Sequence, residues 1–142
     1  MNRRWLFLLY ICLVFVLSAC GKYTNNPLPK SSAYVGETDI TVPVEIFSSY
    51  WAGQYDYGDT NAYEHFKTHT IVPPNSKIRI SFDREPEKIV KVSEVINLEE
   101  SKEVESIGNE INIPYISGIH TYTYSAEWPE GIVTFVFSVE VK

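Results

Sequence analysis

Residues 119 to 141 contain two runs of alternating side chains that meet at Trp128-Pro129-Glu130-Gly131. Successive strand residues point to opposite faces of a sheet, so the period of two fixes which residues go inside. His120, Tyr122, Tyr124, Ala126 and Trp128 share one face, and Thr121, Thr123, Ser125 and Glu127 share the other. Val133, Phe135, Phe137, Val139 and Val141 form the apolar face of the second run. Pro and Gly stand at favourable turn positions between them, which predicts a long hairpin over 119–141. A chain holding such a hairpin must cover its apolar face with a second layer.

Shorter alternating runs supply that layer. Val42, Val44 and Ile46 alternate with polar residues, and Pro43 marks this run as an edge strand because proline has no N–H for the ladder. Ile78, Ile80 and Phe82 form another run, Lys88 to Ile96 a third, and Ile107, Ile111 and Ile113 a fourth with one shared face. Turn signals separate them at Pro73-Pro74-Asn75, Asp83-Arg84-Glu85-Pro86 and Ser117-Gly118. Glu99 to Glu105 reads as a solvated acidic turn. Only Thr60 to Lys67 reads as helix, with Asn61 and Glu64 spaced as in a capping box. The expected fold is an all-β antiparallel sandwich of six to seven strands with one short helix in a loop.

Ser117-Gly118-Ile119-His120-Thr121-Tyr122 has the spacing of the motif that opens the penultimate strand of immunoglobulin-like domains, which this part of the chain resembles. His120 stands where that motif has its corner tyrosine, and Tyr122 where it has a cysteine. The resemblance therefore implies the sandwich layout and not the disulfide. Residues 76 to 141 also resemble small uncharacterised lipoproteins of bacilli. Ile80-Ser81-Phe82-Asp83 with Pro86, then Gly118 to Trp128, Gly131 and Phe137-Ser138-Val139-Glu140-Val141, carry that likeness, which implies no activity.

The N-terminus determines the expected compartment. Met1 to Arg4 is a basic start, and residues 5 to 17 are an unbroken apolar run. Thirteen residues suit a signal-peptide core and are short of the roughly 20 needed to span a bilayer. Leu17-Ser18-Ala19-Cys20 follows, and here the chain resembles bacterial lipoproteins at their lipobox. The resemblance implies cleavage before Cys20, a diacylglyceryl group on its thiol, and a stable lipid anchor on the outer face of the bacterial cytoplasmic membrane. Two acyl chains hold stably where one holds only reversibly. The expected organisation is a signal peptide over 1–19, a lipidated cysteine and flexible tether over 20–38, and a sandwich domain over 39–142.

Cleavage removes Arg3 and Arg4 and no acid, leaving 10 basic and 18 acidic residues, a formal charge of −8. An acidic chain with no basic aromatic patch is not expected to bind nucleic acid. Cys12 leaves with the signal and Cys20 carries lipid, so no thiol remains for a disulfide, a metal or a nucleophile.

Chemistry, if present, would sit in residues 50 to 66, YWAGQYDYGDTNAYEHF. Trp51, Tyr55 and Tyr57, with Asp56 and Asp59, are the candidate ligand-binding residues. Tyr rings recognise sugars and peptides through a flat apolar face and a polar edge. The competing and preferred reading is that these rings fold back to cover an open end of the sandwich. Cover requires Trp51, Tyr55 and Tyr57 to be buried together, whereas a platform requires at least two rings exposed together. Glu64, His65 and His69 form E-H-x-x-x-H; on a helix His65 and His69 would lie one turn apart and could share a metal, with Asp56, Asp59 or His120 as the further ligand that zinc needs. Asp56, Asp59, Asn61 and Glu64 offer oxygens of the kind calcium takes, without the spacing of an EF-hand loop; a carboxylate pair for glycoside cleavage could be drawn from Asp56, Asp59 and Glu64, but acids are too common here for that to favour an enzyme. The chain is read as non-catalytic and without a cofactor. It is expected to be an anchored binding or interaction module for an envelope protein, a peptide or a glycan. The alternative is a metal- or ligand-dependent accessory or inhibitor protein of the cell envelope.

Overall fold

The computed structural model describes residues 26–58, 61, 62, 64 and 66–142. The protein is all-β, with two antiparallel sheets packed as a sandwich. Twelve strands run through the described residues: β1 (Ser31–Val35), β2 (Thr41–Val42), β3 (Val44–Trp51), β4 (Gln54–Asp56), β5 (Thr70–Val72), β6 (Lys77–Phe82), β7 (Lys88–Val95), β8 (Ser101–Glu103), β9 (Ser106–Ile107), β10 (Glu110–Asn112), β11 (Gly118–Trp128) and β12 (Gly131–Val141). The first sheet has the order β2-β1-β6-β10-β9. The second has the order β4-β3-β12-β11-β7-β8, with β5 parallel to the end of β12.

The long hairpin forms in the predicted register, from Gly118↔Val141 to Trp128↔Gly131. Its apolar face is the centre of the core. Tyr122 stacks on Phe137 at 5.2 Å between ring centroids, and Tyr124 on Phe135 at 5.3 Å. These are cross-strand pairs, so each joins its two strands as well as filling volume. Ile78, Ile80 and Phe82 of β6 close over them from the first sheet.

Five expectations need correction. The described residues form twelve strands, not six or seven, because short edge strands and the N-terminal stretch all join the sheets. Much of the range 26–38, expected to be tether, is built into the sandwich. Ser31–Val35 pairs with β6 along five residues, Ala33 is fully buried, and Leu28 packs on the core. Pro43 does not sit within a single edge strand. It lies between β2 and β3, which belong to different sheets, so its missing N–H falls where the chain changes layers. None of the described residues from 61 to 67 is helical, and Thr60, Tyr63 and His65 lie outside the described residues. A helix this short is marginal without an apolar face to bury along its length. Ile107 also leaves the face of Ile111 and Ile113, because Gly108 and Asn109 turn the chain between them.

The buried tyrosines make the fold sensitive to alkali. Burial pushes the Tyr122 phenol well above its ordinary value near 10, and the Glu94 charge adds to the effect. Burial does the same to Tyr124, partly offset by its 2.6 Å hydrogen bond with Ser31 Oγ. A phenol held neutral in the fold but free to ionise when unfolded contributes its full stability below the unfolded pKa. That contribution declines as pH rises above about 10. Chemical denaturation should therefore show stability falling from pH 9 to pH 11. Tyr122 Oη has no hydrogen-bond partner among the described residues. Tyr122→Phe should accordingly leave stability at pH 7 unchanged or raise it by up to about 1 kcal/mol, and should reduce the alkaline loss.

Candidate functional site

The segment read as a long loop begins as a hairpin. β3 and β4 pair through Trp51↔Gln54, Tyr50↔Tyr55 and Ser49↔Asp56. Ala52 and Gly53 form the two-residue turn, both at positive φ (49° and 83°), as a tight hairpin turn with the correct twist requires. Strand geometry then sorts the rings. Trp51 points into the sandwich. Tyr50, its neighbour, points out. Tyr55 pairs with Tyr50 and shares its face, and Tyr57 follows two residues later on the same side.

Exposure follows this parity. Trp51 is 8% exposed, whereas Tyr50, Tyr55 and Tyr57 are 40%, 67% and 76% exposed. The Tyr50 and Tyr55 centroids are 4.4 Å apart, and Tyr55 and Tyr57 are nearly parallel at 5.8 Å. The two readings of these aromatics thus divide between residues. Trp51 is cover, and the three tyrosines form an exposed row. The period-two pattern across Tyr50-Trp51 and Gln54-Tyr55-Asp56-Tyr57, joined by Ala52-Gly53, is the sequence signal that would have found this row.

The row rests on a fixed base. Asp56 Oδ1 accepts a 3.1 Å bond from Gly58 N, so one of its oxygens serves a turn. Gly58 lies so close to β3 that a β-carbon there would stand 1.9 Å from Phe47 O. Beneath the row, Trp51 meets Trp128 edge to face at 6.0 Å and lies under the Arg84 guanidinium at 5.2 Å. Trp51 Nε1 donates to Asn26 O at 2.9 Å. Glu130 Oε1 accepts from Asn26 Nδ2 at 2.6 Å and from Arg84 Nη1 at 2.8 Å. The Asn26 amide leads in holding the Glu130 carboxyl below its ordinary range. Backbone and Arg84 interactions assist, and partial desolvation opposes them. The N-terminal segment is therefore clipped to the turn ends of β3 and β11. Asn26, Leu28, Arg84 and Glu130 were not recognised in the sequence, because their roles depend on partners far along the chain.

Two hollows flank β4. One, of about 560 Å³, lies between the N-terminal segment and the strand, with Asn26, Leu28, Trp51 and Gln54 in its walls. The other, of about 290 Å³, lies on the outer face beside Tyr50, Tyr57, Ile132 and Thr134. Ser49, Tyr55 and Asp56 line both.

The second half of the segment lies elsewhere. Thr121, Val136 and Ser138 face away from the main core, yet all three are buried. Asn61 and Ala62 share a hollow with Thr123 on that face, so this part of the chain packs over the sheet. Asp59 and His65 lie outside the described residues. His69 Nδ1 is buried without a hydrogen-bond partner among the described residues, and among those same residues no three His, Cys, Asp or Glu side chains gather as a metal site. His120 has both ring nitrogens engaged, with Nδ1 2.6 Å from Glu94 Oε1 and Nε2 2.8 Å from Ile116 O. It has none left for a metal or a substrate.

No protein-family model, curated protein or solved structure matches this chain.

Proposed function

We propose that the protein is a lipid-anchored, extracytoplasmic binding module whose working surface is the row Tyr50, Tyr55 and Tyr57. The observation that carries this reading is the joint exposure of three neighbouring rings on a braced hairpin. Large rings that the fold leaves in water while burying their neighbour Trp51 are suited to a partner, because each offers apolar area with little conformational freedom to lose.

The anchor reading rests on Leu17-Ser18-Ala19-Cys20 after the apolar run. With lipid on Cys20, residues 20–25 would be the only spacer before the clip at Asn26, a reach of about 20 Å. The turn end of the sandwich would then face the outer leaflet of the bacterial cytoplasmic membrane, with the tyrosine row close above it. The immunoglobulin-like assignment is also part of the proposal. β6 with β10 in one sheet and β7, β11 and β12 in the other reproduce that fold's central pairings. His120 reaches back four residues to Ile116 O, the kind of bond that the corner tyrosine makes there.

Sedimentation of the lipid-free chain, residues 21–142, with isolated envelope fragments tests the row. Tyr55→Ala with Tyr57→Ala should reduce co-sedimentation at least tenfold while leaving the circular dichroism spectrum unchanged. Wild-type levels of binding by that double variant would refute the assignment. Cys20→Ala should leave unprocessed precursor without lipid, and normal processing with membrane retention would refute the anchor.

A further inference from the structure

We infer that the ligand of the tyrosine row is an uncharged polysaccharide chain, bound across β4 with its sugar rings against Tyr55 and Tyr57. This inference names the ligand class of the surface proposed above and rests on that reading.

Ring geometry is the first argument. Carbon atoms in contact stand roughly 3.5–4.0 Å apart. Tyr55 and Tyr57 are inclined by only 10°, yet their centroids are 5.8 Å apart. They therefore do not cover each other fully, and each leaves part of its face open. The axial C–H groups of a pyranose ring form a flat apolar surface that fits such a face. The spacing between neighbouring rings of the row, 4.4 and 5.8 Å, is on the scale of a single sugar residue.

Rim chemistry is the second. Sugar hydroxyls both donate and accept, so they pair with amides, hydroxyls and carboxylates. Gln54 and Ser48 line the two hollows and make no side-chain hydrogen bond among the described residues. The exposed row brings three phenol hydroxyls, and Asp56 has a second oxygen beyond the one bound to Gly58 N. Among the described residues, no lysine or arginine lines either hollow. Arg84, under the row, is paired with Glu130 and lies against Trp51. A phosphate-, sulfate- or carboxylate-bearing polymer would meet Asp56 without a compensating cation. It would also approach a chain whose charge after cleavage before Cys20 is −8.

The shape of the edge is the third. A peptide that adds to a sheet obtains its affinity from a run of main-chain bonds. β4 offers only three residues, and the Asp56–Gly58 turn closes it. By contrast, hollows on both sides of the strand share Ser49, Tyr55 and Asp56, so one extended ligand could contact both faces around a narrow ridge.

Affinity electrophoresis of the full chain tests this, in a polyoxyethylene detergent that carries no sugar headgroup. The gels contain glycol chitin, hydroxyethyl cellulose or, as the anionic polymer, polyglutamate. At least one neutral polysaccharide should retard the protein and polyglutamate should not. Tyr57→Ala should weaken retardation at least tenfold, and Tyr57→Phe, which keeps the stacking face, less than threefold. No retardation in either neutral gel, retardation in polyglutamate, or retardation unchanged in the Tyr55→Ala, Tyr57→Ala double variant would overturn the inference. If envelope binding depends on the tyrosines but is abolished by protease treatment of the envelope and not by glycan hydrolases, the ligand is a protein. The glycan inference then fails while the row remains the binding surface. If envelope binding is indifferent to the tyrosines, the reading of the row itself fails.

Discussion

Trp128→Ala should lower the free energy of unfolding by about 4 kcal/mol, within the range for removing a buried aromatic side chain. Trp128 is buried at the end of β11, where three rings meet it: Trp51 at 6.0 Å, Phe82 at 5.6 Å and Phe135 at 6.4 Å, all near edge-to-face. These partners come from β3, β6 and β12, so the indole joins both sheets. Its Nε1 also donates to Arg84 O at 3.0 Å, which fixes the loop that supplies the Arg84 guanidinium over Trp51. Alanine would leave a cavity bordered by rigid rings that cannot easily collapse into it. Domains of this size have only about 5–15 kcal/mol of stability, so the change removes a large share. Trp128→Phe separates the contributions. It keeps much of the ring contact and loses the N–H bond, and should cost about 1–2 kcal/mol. Urea denaturation of both variants measures the difference. A loss below 1 kcal/mol for Trp128→Ala would show that the turn end of the sandwich is not held by this cluster.

The sequence revealed the long hairpin because eleven paired positions repeat the same alternation, and a slip of one residue would expose every ring. β1 gave no such signal. Ser31-Ser32-Ala33-Tyr34-Val35 buries only one residue fully, and its place is set by Ile78, Ile80 and Phe82 on its neighbour. An alanine flanked by serines resembles linker until that neighbour is known. The tyrosine row failed differently. Tyrosine is equally at home as cover and as platform, so composition could not decide between them. Parity decides once β3 and β4 are recognised as a hairpin, and the Ala52-Gly53 turn that reveals it is less distinctive than Asn-Gly. The Asn26 clip was beyond reach, since it joins residues 104 apart in the chain through a single carboxylate.

Gly131→Ala should be about as damaging as the loss of a core ring, for a reason that lies wholly in the backbone. Gly131 opens β12 opposite Trp51, with φ at +154°. A β-carbon there would stand 1.9 Å from Tyr50 O, 2.9 Å from Tyr50 C and 3.1 Å from Trp51 Cα. All three are backbone atoms, so no side-chain rotation relieves the overlap. β3 would have to move away from β12, weakening the bond from Ala52 N to Glu130 O and shifting Trp51 from Asn26 and Trp128. The expected loss is about 3 kcal/mol or more, in the class of clashes and strain at special backbone positions. Gly118→Ala is the control. That residue also has positive φ, +136°, but nothing lies within 4 Å of where its β-carbon would be. It should show strain alone, about 1–2 kcal/mol. Because Tyr50 lies at the point of overlap and Tyr55 pairs with it, Gly131→Ala should also disturb the exposed row, even where enough folded protein remains to assay. Envelope binding by folded Gly131→Ala should fall severalfold, while folded Gly118→Ala binds as wild type. Equal losses of stability in the two variants would mean that the close approach of β3 to β12 does not hold the hairpin in place.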